Sequence, residues 1–125
     1  MKTKFMRSLW PVLLVAVSAL IVAYVAGTRD IYEQLDRTRA AKAEVDIRHI
    51  SAALNLHRVR HFAYPTTTER LEVERILLSV PVDPWGRPYV YRVPGRSEAF
   101  EVYTLGADGK EGGSGKDADI GTWAL

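Results

Sequence analysis

Between Leu105 and Trp123 the chain reads LGADGKEGGSGKDADIGTW, with Asp108, Asp117 and Asp119 spread among six glycines. Calcium is a hard cation that takes about six to eight oxygens from carboxylates, backbone carbonyls and water. Three carboxylates, on a backbone that glycine frees to fold back with its carbonyls inward, make a donor set of that kind. Asp117 and Asp119 project to the same side of an extended backbone. The EF-hand pattern is not met, because Lys110 and Gly112 stand where its second and third oxygen ligands belong. A solvated, turn-rich acidic tail is the alternative, and residue types alone leave both readings open. Ile120 and Trp123 are expected to pin the far end of the stretch to the body of the protein.

Other groups carry less. His57 and His61 stand four apart, a helical spacing that can grip zinc. No third ligand or general base is evident near them, so a partly buried His57 and a surface His61 are expected instead. Glu69, Glu72 and Glu74 alternate with Arg70 and Arg75 and read as a solvated face rather than an acid/base pair. No nucleophile–base arrangement and no phosphate-cradling glycine loop followed by lysine appears, so no catalytic residue is expected. The chain has no cysteine, which excludes disulfides, thiolate catalysis and cysteine metal sites.

These groups must be positioned by few elements. Residues 8–28 form an uncharged run matching the roughly 20 apolar residues that cross a bilayer. Lys2, Lys4 and Arg7 precede it, which places residues 1–7 in the cytoplasm and the remainder across the membrane. A cleaved signal sequence is the rival reading, but the apolar run exceeds the usual core of about 7–15 residues. Pro11 lies near the start of the run, where a missing amide donor costs little.

No Pro or Gly interrupts Arg29 to Phe62, and Ile31, Leu35, Val45, Ile47, Ile50, Ala53, Leu54 and His57 recur at mainly helical spacings. One helix is expected to run from the membrane through residues 29–62, with an apolar stripe from Val45 onward carrying the globular part. Pro65 ends it, and Thr67 or Thr68 caps a short second helix with Leu71, Ile76 and Leu77 facing inward. Asp83-Pro84-Trp85-Gly86 has turn chemistry, with the Asp83 side chain capping backbone amides. Strands are expected around Tyr89–Val93 and Phe100–Leu105, joined through Pro94-Gly95-Arg96-Ser97. The acidic tail looks too irregular to pair.

Charge is asymmetric. Residues 1–62 hold ten Lys/Arg against five Asp/Glu, and residues 63–125 seven against ten. Neither half has the dense basic patch of a nucleic-acid binder.

VDIRHISAALNLHRV, YPTTTERL, DPWGRPYVYRVPG, FEVYTLGADGKEGG and DADIGTW resemble, in that order, the globular part of the type II secretion major pseudopilins, the general secretion pathway protein G family. The resemblance spans about Ala43 to Trp123. It implies an α+β, pilin-like fold: a long N-terminal helix, half transmembrane and half periplasmic, on a small antiparallel sheet within a head of residues 63–125. It also implies a calcium ion in the loop 105–123, held by the Leu105 carbonyl, Asp108, a carbonyl near Gly115, Asp117 and Asp119. The implied role is a non-enzymatic structural subunit, anchored once in the bacterial inner membrane with its head in the periplasm. Such a subunit assembles into or caps a pseudopilus with other pseudopilins and inner-membrane secretion components. Ile31, Leu35, Ile47, Ile50 and Leu54 on the long helix are the expected assembly positions. Family members begin with a short basic leader and a Gly-Phe-Thr-Leu-Ile-Glu type motif, whereas MKTKFMRSLWPVLLVAV has neither Gly before Phe nor an acid in the run. The alternative is therefore a non-polymerising anchored calcium-binding module that docks a secretion partner.

Overall fold

The computed structural model describes the backbone of residues 2–125 and, Val73 apart, the side chains from residue 9 onward. The side chains of Lys2, Lys4 and Arg7, on which the expected orientation rests, lie outside it. The chain divides into two compact units, residues 1–35 and 36–125. The helix α1, Lys2–His61, runs through both.

The first unit is helix alone. From Leu9 its apolar side chains are exposed, and the segment is long and apolar enough to cross a membrane. Two of its hydroxyls turn back on the helix: those of Ser18 and Thr28 donate to the carbonyls of Val15 and Val25 at 2.8 and 2.9 Å. A hydroxyl satisfied in this way can face hydrocarbon without a stranded donor. The helix begins at Lys2, so Pro11 lies inside it and not at its first turn. There proline leaves the carbonyl four residues earlier without its amide donor.

In the second unit α1 buries one stripe: Ala43, Ile47, Ile50, Ala53, Leu54 and His57. Steps of three and four residues keep these on one helix face. Val45, two residues from Ile47 and nearly opposite it, is exposed, so Ala43 opens the stripe in its place. The helix stops at His61, one residue short of the expected end, because Phe62 turns to a left-handed φ of 59°; its amide still donates to the Arg58 carbonyl at 2.7 Å.

The short helix α2, Glu69–Val73, follows. Thr68 occupies its N-cap position, but its side chain makes no capping hydrogen bond. Leu71 is fully buried, with Ile76 and Leu77 packed beside it. Asp83 shapes the next turn as expected: its Oδ1 accepts from the amides of Trp85 and Arg87 at 3.0 and 2.7 Å.

Three strands form one antiparallel sheet in chain order: β1 Val90–Arg92, β2 Glu101–Thr104 and β3 Ile120–Gly121. Val90 faces Tyr103 across the first pair, and Thr104 faces Ile120 across the second. Every residue of β2 is buried. Tyr89, Phe100 and Val102 meet the α1 stripe and Leu71 in one apolar core. The third strand was not expected. The acidic stretch ends by pairing with the sheet and carries two single-turn 3₁₀ helices, Gly115–Asp117 and Thr122–Ala124.

Candidate functional site

The stretch after β2 is an ordered loop closed upon itself. The Ala107 amide donates to the Lys116 carbonyl at 2.9 Å, tying the loop's two ends together. Gly106 sits at φ +63°, and a Cβ there would lie 2.6–2.7 Å from the backbone of Asp117 and Ala118. Only glycine permits that approach together with that backbone conformation. The Arg87 guanidinium, on the Asp83 turn, donates to the Gly106 carbonyl and fastens the loop to the head from the other side.

Each candidate ligand has a definite place. Leu105 directly follows β2, and Asp108 Oδ1 accepts from the Lys110 amide at 3.0 Å. Gly115 opens the first 3₁₀ turn, where its carbonyl accepts from Ala118 at 3.3 Å. Asp117 Oδ1 stands 2.9 Å from Lys116 Nζ, and this hydrogen bond holds the ammonium proton beyond the ordinary lysine range. Asp119 immediately precedes β3. Its Oδ2 accepts from the Gly112 amide at 2.9 Å, while its Oδ1 is buried with no hydrogen-bond partner.

A buried carboxylate oxygen without a donor is costly unless a cation or proton meets it. The hard-oxygen donor set and the stranded Asp119 Oδ1 therefore suit calcium. The three aspartates do not, however, draw together into a tight cluster; among the described residues that is done by another group.

The loop's end is latched as expected. Ile120 packs on the core. The Trp123 indole packs against Tyr103 with ring centroids 5.4 Å apart, over Gly121, where a Cβ would come within 2.5 Å of the indole. Beside it Arg92, Arg96, Glu101, Glu111, Asp119 and Trp123 line an open pocket of about 490 Å³. Arg92 bonds Glu111 there at 2.9 Å.

The tight cluster is the histidine pair with a partner that chain order hides. Glu74, just past α2, brings Oε1 to 3.4 Å from His57 Nε2 and Oε2 to 2.9 Å from His61 Nε2. Reading Glu74 as part of a solvated face is thereby corrected. The helix spacing of the histidines was legible, but their third neighbour was not, because it lies beyond the turn that reverses the chain.

The expected assembly positions divide. Ile47, Ile50 and Leu54 are wholly enclosed in the head, whereas Ile31 and Leu35 are exposed. The enclosed three hold the sheet to α1 and present nothing to a neighbour.

Residues 30–123 match the family described as Type II secretion system (T2SS), protein G. The chain is 43% identical over 104 residues to the type II secretion system core protein G of Pseudomonas aeruginosa, covering 70% of this chain and 73% of that one. It is 33% identical over 129 residues to the Vibrio cholerae protein of the same description, covering 91% and 84%. Its structure resembles the crystal structure of the major pseudopilin from the type 2 secretion system of enterohaemorrhagic Escherichia coli. That match has a TM-score of 0.58 at 26% identity, over 72% of this chain and 90% of that one.

Proposed function

The chain belongs to the type II secretion system protein G family, and on that footing we propose that it builds or caps a periplasmic pseudopilus. It is a structural pseudopilin subunit with the pseudopilin fold. The finer reading is a single-pass inner-membrane anchor with the head in the periplasm, working by packing and not by catalysis. One observation carries it: from residue 9 to residue 27, α1 presents exposed apolar side chains all round. Such a helix needs lipid or neighbouring apolar helices about it.

Assembly then falls to the exposed side chains of α1, including Ile31 and Leu35. The absence of cysteine makes the test clean. Single cysteines at Ile31 and Leu35 are introduced and oxidised in membranes that carry the secretion machinery. Disulfide-linked dimers between copies are expected. Monomers at both positions, and at a scan of neighbouring exposed sites, would overturn polymerisation in favour of an anchored module that docks a secretion partner.

We further infer that the loop 105–123 takes one calcium ion, through the Leu105 carbonyl, Asp108, the Gly115 carbonyl, Asp117 and Asp119. The stranded Asp119 Oδ1 and the glycine-closed backbone support it. The ion would supply positive charge to carboxylates that otherwise repel, so its binding free energy becomes folding free energy of the head. Lys116, which lies on Asp117, would have to move aside.

A further inference from the structure

We propose that His57, His61 and Glu74 form a second metal site, one that takes Zn²⁺ and clamps the end of α1 to the segment after α2. The three offer ligand atoms that all lie within 4.8 Å of one another. Zinc bonds of about 2.0 Å in tetrahedral array put ligand atoms about 3.3 Å apart. His57 Nε2 stands 3.4 Å from Glu74 Oε1 and His61 Nε2 2.9 Å from Oε2, both near that value, so a modest turn of the carboxylate would present one oxygen to both imidazoles.

The tautomer of His57 argues for a cation. Its Nδ1 lies 2.9 Å from the Ala63 carbonyl oxygen. A carbonyl can only accept, so Nδ1 carries a proton and Nε2 is the nitrogen left to meet a cation. Nε2 faces the carboxylate of Glu74 at 3.4 Å, so the positive centre that belongs between them is either a proton or a metal ion, and the two are told apart below. A backbone carbonyl behind a ligating imidazole is the usual arrangement that orients a metal-binding histidine.

Glu74 Oε2 repeats the argument. It is buried with no hydrogen-bond partner, although His61 Nε2 stands only 2.9 Å away. The nitrogen stands close to the oxygen but makes no well-aligned hydrogen bond to it, a placement that two ligands of one ion can share. The rings of His57 and His61 lie 4.5 Å apart between centroids. His57 is almost wholly enclosed while the His61 side chain is 49% exposed, so the ion can enter from solvent and keep water in its fourth position.

One neighbour competes. Arg70 Nε lies 3.4 Å from Glu74 Oε1, but that side chain is mostly in solvent and can withdraw. Two imidazoles and a carboxylate suit zinc better than calcium, which prefers an all-oxygen shell. The site is thus chemically distinct from the acidic loop.

The test titrates Zn²⁺ alone into the full chain in detergent, with excess Ca²⁺ present to occupy oxygen-only sites. One zinc per chain is expected, with a zinc-dependent rise in Tm. His61→Ala and Glu74→Gln should each weaken binding on the order of a hundredfold, at least the loss seen for a single supporting contact of a metal site. His61 is half in solvent, so its variant tests the site without emptying the core, and circular dichroism confirms its fold. Co²⁺ in place of zinc should give the intense visible absorption of a tetrahedral ion, lost in both variants. Absence of zinc binding, or equal affinity in both folded variants, would overturn the proposal; a proton shared between imidazole and carboxylate would then fill the role.

Discussion

The Tyr89 hydroxyl donates to Asp46 Oδ2 at 2.8 Å, fastening the entry of β1 to the last third of α1 across 43 residues of chain. Asp46 also accepts from Lys42 on its own helix, so the carboxylate is shared between a local and a distant partner. Tyr89→Phe removes only the distant one. A hydrogen bond to a charged acceptor contributes about 1.5–3 kcal/mol. Because Lys42 still satisfies Asp46, the expected loss is near the lower figure, about 1.5 kcal/mol. Chemical denaturation checks it, and a loss no larger than that of an exposed Tyr32→Phe would contradict the assignment.

Alkaline pH should find the same tyrosines. Burial, and then the Asp46 hydrogen bond, hold the Tyr89 phenol well above its ordinary range. Burial, reinforced by Tyr64, pushes Tyr91 up to about 12 from 10.0. Both folded values exceed the unfolded one, so their contribution is full below the unfolded value. It drains as pH rises from there towards the folded values. Stability attributable to Tyr91 should hold to about pH 10 and fall towards pH 12, by at most about 1.4 kcal/mol per pH unit. Denaturation midpoints at several alkaline pH values should fall less steeply in Tyr91→Phe. Parallel slopes would contradict this.

Much of the scaffold was legible because it obeys short-range rules. The helix end near Phe62, the inward Leu71, the Asp83 turn and the two longer strands follow from periodicity, proline placement and turn chemistry. What escaped depends on distant contacts. β3 is two residues, one of them a glycine, too short to show alternation, and exists because Tyr103 and Thr104 are there to pair with. Val45 was misplaced because a helical stripe is fixed by which residue the sheet covers, and Ala43 looks unremarkable until Ile47 anchors the count. Glu74 joins His57 and His61 only after the chain reverses. In the loop the ligand types were readable, but Lys116 lying on Asp117 was not.

The corrected stripe gives a paired test. Leu54 is fully enclosed by the sheet, so Leu54→Ala removes packed volume the surroundings cannot refill, costing about 2–5 kcal/mol. Val45→Ala, on the exposed face, should stay within about 0.5 kcal/mol in the isolated protein. Urea midpoints compare the two directly. If assembly uses that face, Val45→Ala should instead weaken crosslinking between copies in membranes.

Calcium gives the most exacting prediction because two neighbouring substitutions should act in opposite directions. If Asp117 and Asp119 ligate the ion, calcium at a hundredfold excess over its Kd stabilises the head by about 2.7 kcal/mol. For a domain of this size that is a rise in Tm on the order of 10 °C, which a chelator should abolish. Asp119→Asn should reduce that rise sharply, because a neutral amide replaces the charged oxygen that now has no partner. Lys116→Gln removes the ammonium that stands 2.9 Å from Asp117 Oδ1. Calcium would then face one fewer positive charge and no competitor for that oxygen, so its affinity should increase several-fold, on the order of the factor of 10 that each 1.4 kcal/mol represents. Salt should shrink that gain, since Lys116 is exposed and its charge is screened. Calcium titrations followed by thermal unfolding, with and without added salt, measure all of these. Melting curves indifferent to calcium and chelator in the unsubstituted chain would remove the ion from the loop, and a Lys116→Gln variant with weakened affinity would remove Asp117 from its ligands.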